Sequence, residues 1–486
     1  MSGYKRWLRS SSILSLIAAS GAIAFLMAGC PIVPNDNSNT NTNTNTNDNT
    51  NDNSSNEEPK GDSGLTGAYI GSERCSLCHN NVHANWAETL HAGALETLEA
   101  IGQGKNSVCI GCHTVGFGQP GGFVDRATTN ALAGVGCEAC HGPARSHAEN
   151  ANDESLRPTI NISASVCGTC HTDEHHPNFE DWSASKHAAV EPELVPRFAA
   201  GTSLGTCGKC HSGDYFYRAI IKGETVSDTL LSGKTSEEMN AITCAICHNP
   251  HAKTGNAAEP EDGRDYQLRF PQIAFTTPTN TIAAVQDGSR FNLCGQCHHA
   301  RDRVWTDSSR EPHPSDQVNV FFGEMPMPAA FPEPIVPSRA SVHLNAPEQC
   351  STCHVFRKPL EEGIAPAVSG HTFEVNFGGC VGCHGTEEIA EAKLAALEAE
   401  IEIRVERLRA ALDAWSDTHS LEWEYTSEGG PNAAGQARIP AEIKKARYIL
   451  YYVIAGGGNG AHNPDYVREG LQIAEELALT APAPAP

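Results

Sequence analysis

The sequence predicts a mainly α-helical protein with extensive irregular loops, very little β-sheet and a helical region at its C-terminal end. Three observations support this fold class. The pattern C-x-x-C-H recurs nine times between Cys75 and His384. Only 39% of the 486 residues are hydrophobic and 6% are aromatic, while glycine (44) and proline (29) are frequent, so the chain alone offers a thin core. The last hundred residues, in contrast, carry helical periodicity.

All but one of the nineteen cysteines belong to the nine motifs. A disulfide framework would not require a histidine after every pair, and four-ligand zinc sites need a second pair at a regular distance, whereas the gaps here vary. C-x-x-C-H is the attachment signature of c-type haem, in which two thiols bond to the porphyrin and the next histidine binds the iron. The sequence therefore predicts nine covalently bound haem c groups.

The predicted attachment residues form nine pairs of cysteines. They are Cys75 and Cys78, Cys109 and Cys112, Cys137 and Cys140, Cys167 and Cys170, Cys207 and Cys210, Cys244 and Cys247, Cys294 and Cys297, Cys350 and Cys353, and Cys380 and Cys383. The predicted proximal iron ligands are His79, His113, His141, His171, His211, His248, His298, His354 and His384. Because each haem is a large apolar body, we expect the haems to form the core of a domain spanning residues 65–385. Short helices should surround the motifs.

The C-terminal region, residues 386–486, follows a different pattern. From Glu387 to Asp417 there is no glycine or proline, and apolar residues recur at helical spacing from Leu394 to Trp415. A second helix is predicted after Pro440 and a third after Pro464, since proline suits the first turn of a helix. We expect a small antiparallel helical bundle.

The N-terminus reads as an export signal followed by a tether. Residues 1–29 combine three basic residues with a short apolar run, which is typical of a secretory signal and too short for a membrane span. The ending "LMAGC" resembles a bacterial lipobox, which implies cleavage before Cys30 and lipidation of its thiol; a plain cleaved signal with an unrelated cysteine is the alternative. Residues 30–64 are rich in Asn and Thr and predict a disordered tether with a reach of about 30 Å.

Export and lipidation predict a periplasmic or cell-surface lipoprotein. Pro31 stands where Asp typically retains lipoproteins at the inner membrane, so the outer membrane is preferred. The formal net charge is −24, and loss of the three basic signal residues makes it −27. This acidity argues against nucleic acid and favours other redox proteins as partners. The sequence leaves the oligomeric state open.

Histidines outside the motifs are candidates for the sixth iron ligand. Two of them end a repeated W-x-x-x-x-H-A segment, at Trp86–Ala92 and Trp182–Ala188. Others closely follow a motif or lie in loops flanked by proline or glycine. The predicted distal ligands are His91, His147, His176 (or its neighbour His175), His187, His251, His313, His343 and His371. That makes eight candidates for nine irons, with His83, His299 and His462 held as spares.

The stretch from Tyr69 to Ala148, "YIGSERCSLCHNNVHANWAETLHA…CIGCHTVGFGQPGGFV…LAGVGCEACHGPARSHA", resembles the tetrahaem cytochrome c-554 family. Its larger relatives include octahaem hydroxylamine oxidoreductases and tetrathionate reductases. The resemblance covers residues 65–150 and implies that His91 and His147 are distal ligands. Nine motifs exceed the four or eight of that family, and C-x-x-C-K, the motif of a catalytic haem, does not occur. The resemblance therefore leaves enzyme and carrier open.

Two functions from different classes follow. Closure of both iron faces by histidine predicts an electron carrier, tethered to a membrane, with no catalytic residue. The alternative is an oxidoreductase that acts on nitrite, hydroxylamine or tetrathionate at one five-coordinate haem. Candidates to line such a pocket are Tyr215, Tyr217, Arg218, His299, Arg301 and His462.

Overall fold

The computed structural model describes residues 65–254, 265–269, 293–301, 303–307, 311–358, 367–425, 433–456 and 460–485. Its α-helices are α1 Ser72–Ala87, α2 Ala94–Ala100, α3 Ser107–Ile110, α4 Arg126–Thr129, α5 Cys137–His141, α6 Arg145–Glu149, α7 Ala164–Gly168, α8 Asn178–Ala184, α9 Val195–Ala199, α10 Leu204–His211, α11 Gly213–Phe216, α12 Cys244–Cys247, α13 Gln317–Phe322, α14 Cys350–His354, α15 Val381–His384, α16 Glu387–His419, α17 Ala433–Arg438, α18 Ala441–Ala455 and α19 Pro464–Thr480. The predicted signal, Cys30 and the tether lie outside the described residues.

The mainly helical fold class is confirmed. Pairing between extended segments is limited, in the described ranges, to three isolated bridges, of which one joins Thr114 to Ala133. Up to residue 384 the described α-helices other than α1 are short, with eight residues or fewer, and are separated by turns and 3-10 segments. Within the same ranges no helix is long and apolar enough to cross a membrane.

Two helices that carry the start of a motif, α3 and α7, begin at a side-chain cap. Asn106 accepts a hydrogen bond from the Val108 amide at the start of α3, and Ser163 accepts one from Ser165 at the start of α7. Such side chains satisfy amides that a short helix leaves unpaired. The caps therefore set where the first turn carrying a motif begins.

A protein core of ordinary composition lies in the C-terminal region. Helices α16, α18 and α19 surround buried residues that include Ile401, Leu408, Ile443, Tyr448 and Leu471. Side chains from an earlier part of the chain, such as Trp305 and Val320, belong to the same cluster. A smaller cluster around Phe198 and Leu204 lies in the motif region.

Helix direction alternates from α16 to α18 to α19. Gly470 of α19 lies against Ile449 of α18, and the short link between these helices makes them antiparallel. Two ion pairs hold α16 and α19 side by side in the same direction: Arg468 with Glu400 at 2.6 Å and Arg404 with Glu475 at 3.1 Å. The longer connection after α16 contains α17 and lets the next long helix reverse.

Candidate haem sites

Each motif lies at least partly in a helical or 3-10 turn. In α5, for example, Cys137 and Cys140 lie three residues apart and therefore point to the same side of the helix, with His141 at its end. Helix α14 repeats this arrangement with Cys350, Cys353 and His354. Two thiols on one face beside an imidazole are the donor set that a c-type haem requires.

The imidazoles of the motifs are oriented through their Nδ1 atoms. Backbone carbonyls lie 2.6–3.1 Å from this atom in four motifs: His113 with Ala94, His141 with Thr159, His248 with Tyr266, and His354 with Phe373. In His298 the Oε1 atom of Gln317 lies 3.3 Å from Nδ1, and in His211 a carboxylate oxygen of Glu191 lies 2.7 Å away. An Nδ1–H that donates to oxygen fixes the tautomer whose Nε2 lone pair is free for a metal.

Seven motif imidazoles face a second imidazole across a gap of constant width. The pairs and the distances between their ring centroids are His91–His171 (6.0 Å), His141–His251 (6.0 Å), His187–His298 (6.1 Å), His211–His313 (6.2 Å), His248–His371 (6.2 Å), His354–His462 (6.2 Å) and His343–His384 (6.3 Å). A metal–imidazole bond of about 2.1 Å and a distance of about 1.1 Å from nitrogen to ring centre give about 6.4 Å for two imidazoles on opposite faces of one ion. The seven gaps therefore fit an iron.

Burial keeps these imidazoles neutral. Desolvation, together with nearby imidazoles that act in the same sense, lowers the pKa of His171, His187 and His371 to about 4 in each case. It also lowers the pKa of His91 and His298. Only the neutral ring can offer a nitrogen lone pair to a metal, so these side chains are ready to bind one at neutral pH.

Six of the eight predicted distal histidines lie in facing pairs: His91, His187, His251, His313, His343 and His371. His176 instead lies near the rings of both His171 (6.5 Å) and His175 (6.4 Å). His147 has a buried Nδ1 atom without a hydrogen-bond partner in the described part of the chain. Among the residues that the structure describes, no imidazole faces His79 or His113 at the separation of the seven pairs.

His462, ranked as a spare by sequence, faces His354 in a nearly parallel arrangement, with 23° between the ring planes. It lies in the connection between α18 and α19, far along the chain from every motif. The sequence around it, "GAHNPDY", could have indicated a candidate ligand. This segment is flanked by glycine and proline in the same way as the loops of the favoured candidates.

The residues proposed to line a catalytic pocket lie in different environments. Tyr215 packs in the cluster around Phe198, Arg218 pairs with Glu224 at 3.5 Å, and His462 faces His354. His299 is 2% exposed, and burial lowers its pKa to about 4 with a further contribution from Arg301. The Arg301 amide donates to His299 Nδ1 at 3.3 Å, so these two candidates lie close together.

Comparisons with known proteins agree with the donor set. The profile of the family "cytochrome c554 and c-prime" matches residues 74–142. The chain is similar to cytochrome c-554 of Nitrosomonas europaea, with 40% identity over 92 residues that cover 16% of this chain and 39% of the relative. It is also similar to the multihaem cytochrome MtrA of Shewanella baltica, with 27% identity over 29% of this chain and 45% of the relative. The matches thus span less than half the length of these curated relatives.

Two solved structures share the fold over most of the chain. The outer cell wall cytochrome OcwA aligns with a TM-score of 0.56 and 19% identity, over 85% of this chain and 100% of that one. An undecahaem cytochrome from the S-layer of Carboxydothermus ferrireducens aligns with a TM-score of 0.51 and 19% identity, over 86% of this chain and 70% of that one. At this identity the similarity concerns the fold.

Proposed function

We propose that this chain, a multihaem c-type cytochrome, carries electrons between other redox proteins outside the cytoplasm. The observation that supports the proposal best is the set of seven imidazole pairs with centroids 6.0–6.3 Å apart. An iron held on both faces by imidazole has no coordination site for a substrate and exchanges only electrons.

The proposed cofactors are nine haem c groups, one for each motif. The two thiols of a motif hold the ring and the motif imidazole binds the iron. In seven sites the facing histidine is the proposed second ligand, with His462 added to the sequence-based set. His147 and His176 stay predicted distal ligands, and neither is assigned to a particular iron. Haem supplies the one-electron chemistry, while burial and the Nδ1 hydrogen bonds of the chain tune its potential.

The test is a ligand and electron count on the mature protein. Mass spectrometry should give nine haem additions, and reductive titration should take up nine electrons. Absorption and electron paramagnetic resonance spectra should be dominated by low-spin iron. A protein with seven or fewer haems, or with predominantly high-spin iron, would contradict the proposal.

A second candidate function is oxidoreduction of nitrite, hydroxylamine or tetrathionate at a five-coordinate haem. It is favoured by one observation: His79 and His113 have no facing imidazole among the described residues. Turnover of one of these compounds with a viologen donor, together with a high-spin signal that the compound shifts, would support the enzyme. Absence of both would leave the carrier.

The proposed location rests on Cys30, which lies outside the described residues. We propose that lipidation of its thiol anchors the protein, preferably in the outer membrane, with residues 30–64 as spacer. The variant Cys30→Ser should leave the membrane fraction with its haem content unchanged. If it stays in that fraction, the anchor is elsewhere.

A further inference from the structure

The W-x-x-x-x-H-A repeat of the sequence is also a repeat of hydrogen bonds. Trp86 Nε1 donates to the Val135 carbonyl at 3.1 Å, and the Val135 amide donates to the His91 carbonyl at 2.8 Å. In the second copy Trp182 Nε1 donates to the Ile242 carbonyl at 2.9 Å, and the Ile242 amide donates to the His187 carbonyl at 3.2 Å. Each segment is thus fixed to a residue two positions before a motif.

The two copies are three motifs apart. Motifs are numbered 1 to 9 in chain order, from Cys75 to His384. The first segment follows motif 1 and is fixed beside motif 3, whereas the second follows motif 4 and is fixed beside motif 6. His91 faces the imidazole of motif 4, and His187 faces that of motif 7. Motifs 1 to 3 and motifs 4 to 6 are therefore structural repeats.

Thiols of different motifs lie beside each other with the same period of three. Cys75 of motif 1 lies beside Cys137 of motif 3, and Cys167 of motif 4 lies beside Cys244 of motif 6. Cys112 of motif 2 lies beside Cys170 of motif 4, and Cys210 of motif 5 lies beside Cys297 of motif 7. Cys140 of motif 3 lies near both thiols of motif 4, and Cys247 of motif 6 lies near both thiols of motif 7.

The last motifs continue this series without a branch. Cys294 of motif 7 lies beside Cys350 of motif 8, and Cys353 of motif 8 lies beside Cys380 of motif 9.

Hydrogen bonds join several of these neighbours independently. The Cys137 amide donates to Ser72 Oγ at 3.2 Å, next to motif 1, and Thr243 Oγ1 donates to the Ile162 carbonyl at 2.6 Å, between motifs 6 and 4. Cys297 Sγ lies 3.9 Å from the Lys209 carbonyl of motif 5. The Asn376 amide donates to the Cys353 carbonyl at 2.9 Å, beside motif 9.

We infer that seven of the nine sites form one line, in the order 1, 3, 4, 6, 7, 8, 9, and that site 2 branches from site 4 and site 5 from site 7. The inference rests on the proposed function, and its basis is that a thiol bonded to the ring fixes the ring edge beside it. Cys78 and Cys383, at the two ends of the line, are exposed. An electron taken from a one-electron donor protein at one end is balanced by one given to an acceptor protein at the other, with no atom transferred.

The order makes site 7 essential for passage from end to end and site 5 dispensable. The test measures the conductance of single haem-loaded molecules held between gold contacts through Thr66→Cys, near motif 1, and Glu388→Cys, near motif 9, both at exposed positions. Removing site 7 with Cys294→Ala and Cys297→Ala should abolish the conductance. The comparison variant, Cys207→Ala with Cys210→Ala, removes site 5 and one haem, and it should still conduct between the two contacts where the site 7 variant does not.

Equal conductance in the two variants, or its loss only in the site 5 variant, would overturn the order. Absence of conductance in the protein with all its motifs would instead contradict the proposed function. Because loss of a haem can prevent folding, an experimental structure of the haem-loaded protein provides a second measurement. The eight neighbouring pairs should then have adjacent ring edges, and a third ring between the members of any pair would refute the order.

Discussion

Removal of His462 tests whether facing imidazoles are iron ligands. The sequence made this residue only a weaker candidate, so its proposed role depends on the geometry of the pair. Its ring centroid lies 6.2 Å from that of His354, close to the spacing of about 6.4 Å expected for two ligands of one metal. The variant His462→Ala should therefore open one iron of nine. After reduction it should bind one more carbon monoxide per molecule than the unmodified protein, and about one-ninth of the low-spin signal should become high-spin.

The matched control is His419→Ala, also in the C-terminal region. The His419 Nδ1 atom lies at hydrogen-bond distance, 2.8 Å, from the Trp415 carbonyl, and the two rings lie 4.9 Å apart. His419 thus contacts its own helix and, among the described residues, does not face the imidazole of a motif. This control should leave carbon monoxide binding unchanged. Added imidazole should restore the low-spin signal of His462→Ala, which a merely structural role would not allow. Unchanged carbon monoxide stoichiometry in His462→Ala would refute the pairing argument.

Two further predictions concern stability. Asp316 is fully buried, and burial raises its pKa well above the usual 3.8. The stability that its protonated form contributes is therefore present below pH 3.8 and is lost as the pH rises through the folded-state pKa, by up to about 1.4 kcal/mol per pH unit. In denaturant titrations Asp316→Asn should remove this loss, whereas Asp417→Asn, at an exposed position, should not. Trp182→Phe keeps an aromatic ring but removes the donor to the Ile242 carbonyl. It should lower the free energy of unfolding by about 0.5–1.5 kcal/mol and speed hydrogen exchange of the Ile242 amide. Trp86→Phe should have the same effects on stability and on exchange of the Val135 amide, and unequal effects would contradict the structural repeat.

The parts of the fold that sequence predicts are local. The span of α16 follows from the apolar spacing between Leu394 and Trp415, and the start of α19 follows from Pro464. The donor set of each motif is equally local, since two thiols and an imidazole lie within one turn. Such features depend on neighbours that the sequence itself places side by side.

The facing imidazole in each of the seven pairs depends instead on contacts between distant segments. His371 lies a few residues before motif 9 but faces His248 of motif 6, and His462 reaches motif 8 from the connection after α18. Proximity in sequence would have assigned both differently. The position of His462 follows from the packing of α18 and α19 and from a turn at Gly460, and that of His371 from a turn at Gly370; both glycines have positive φ.

The internal repeat explains why some of the facing imidazoles were nevertheless predictable. His91 and His187 share a tryptophan five residues earlier, and that indole donates to a carbonyl two residues before a motif in both copies. The W-x-x-x-x-H-A pattern therefore corresponds to a tertiary hydrogen bond in both copies, and not only to the spacing of residues along a helix. His343 and His462 lack such a partner pattern, and each is fixed by the C-terminal helices: His343 Nδ1 lies 3.1 Å from the carbonyl of Ala461, the residue before His462. One connection between two helices thus orients imidazoles that face motifs 8 and 9, so the C-terminal helices are part of the proposed haem sites at the far end of the line.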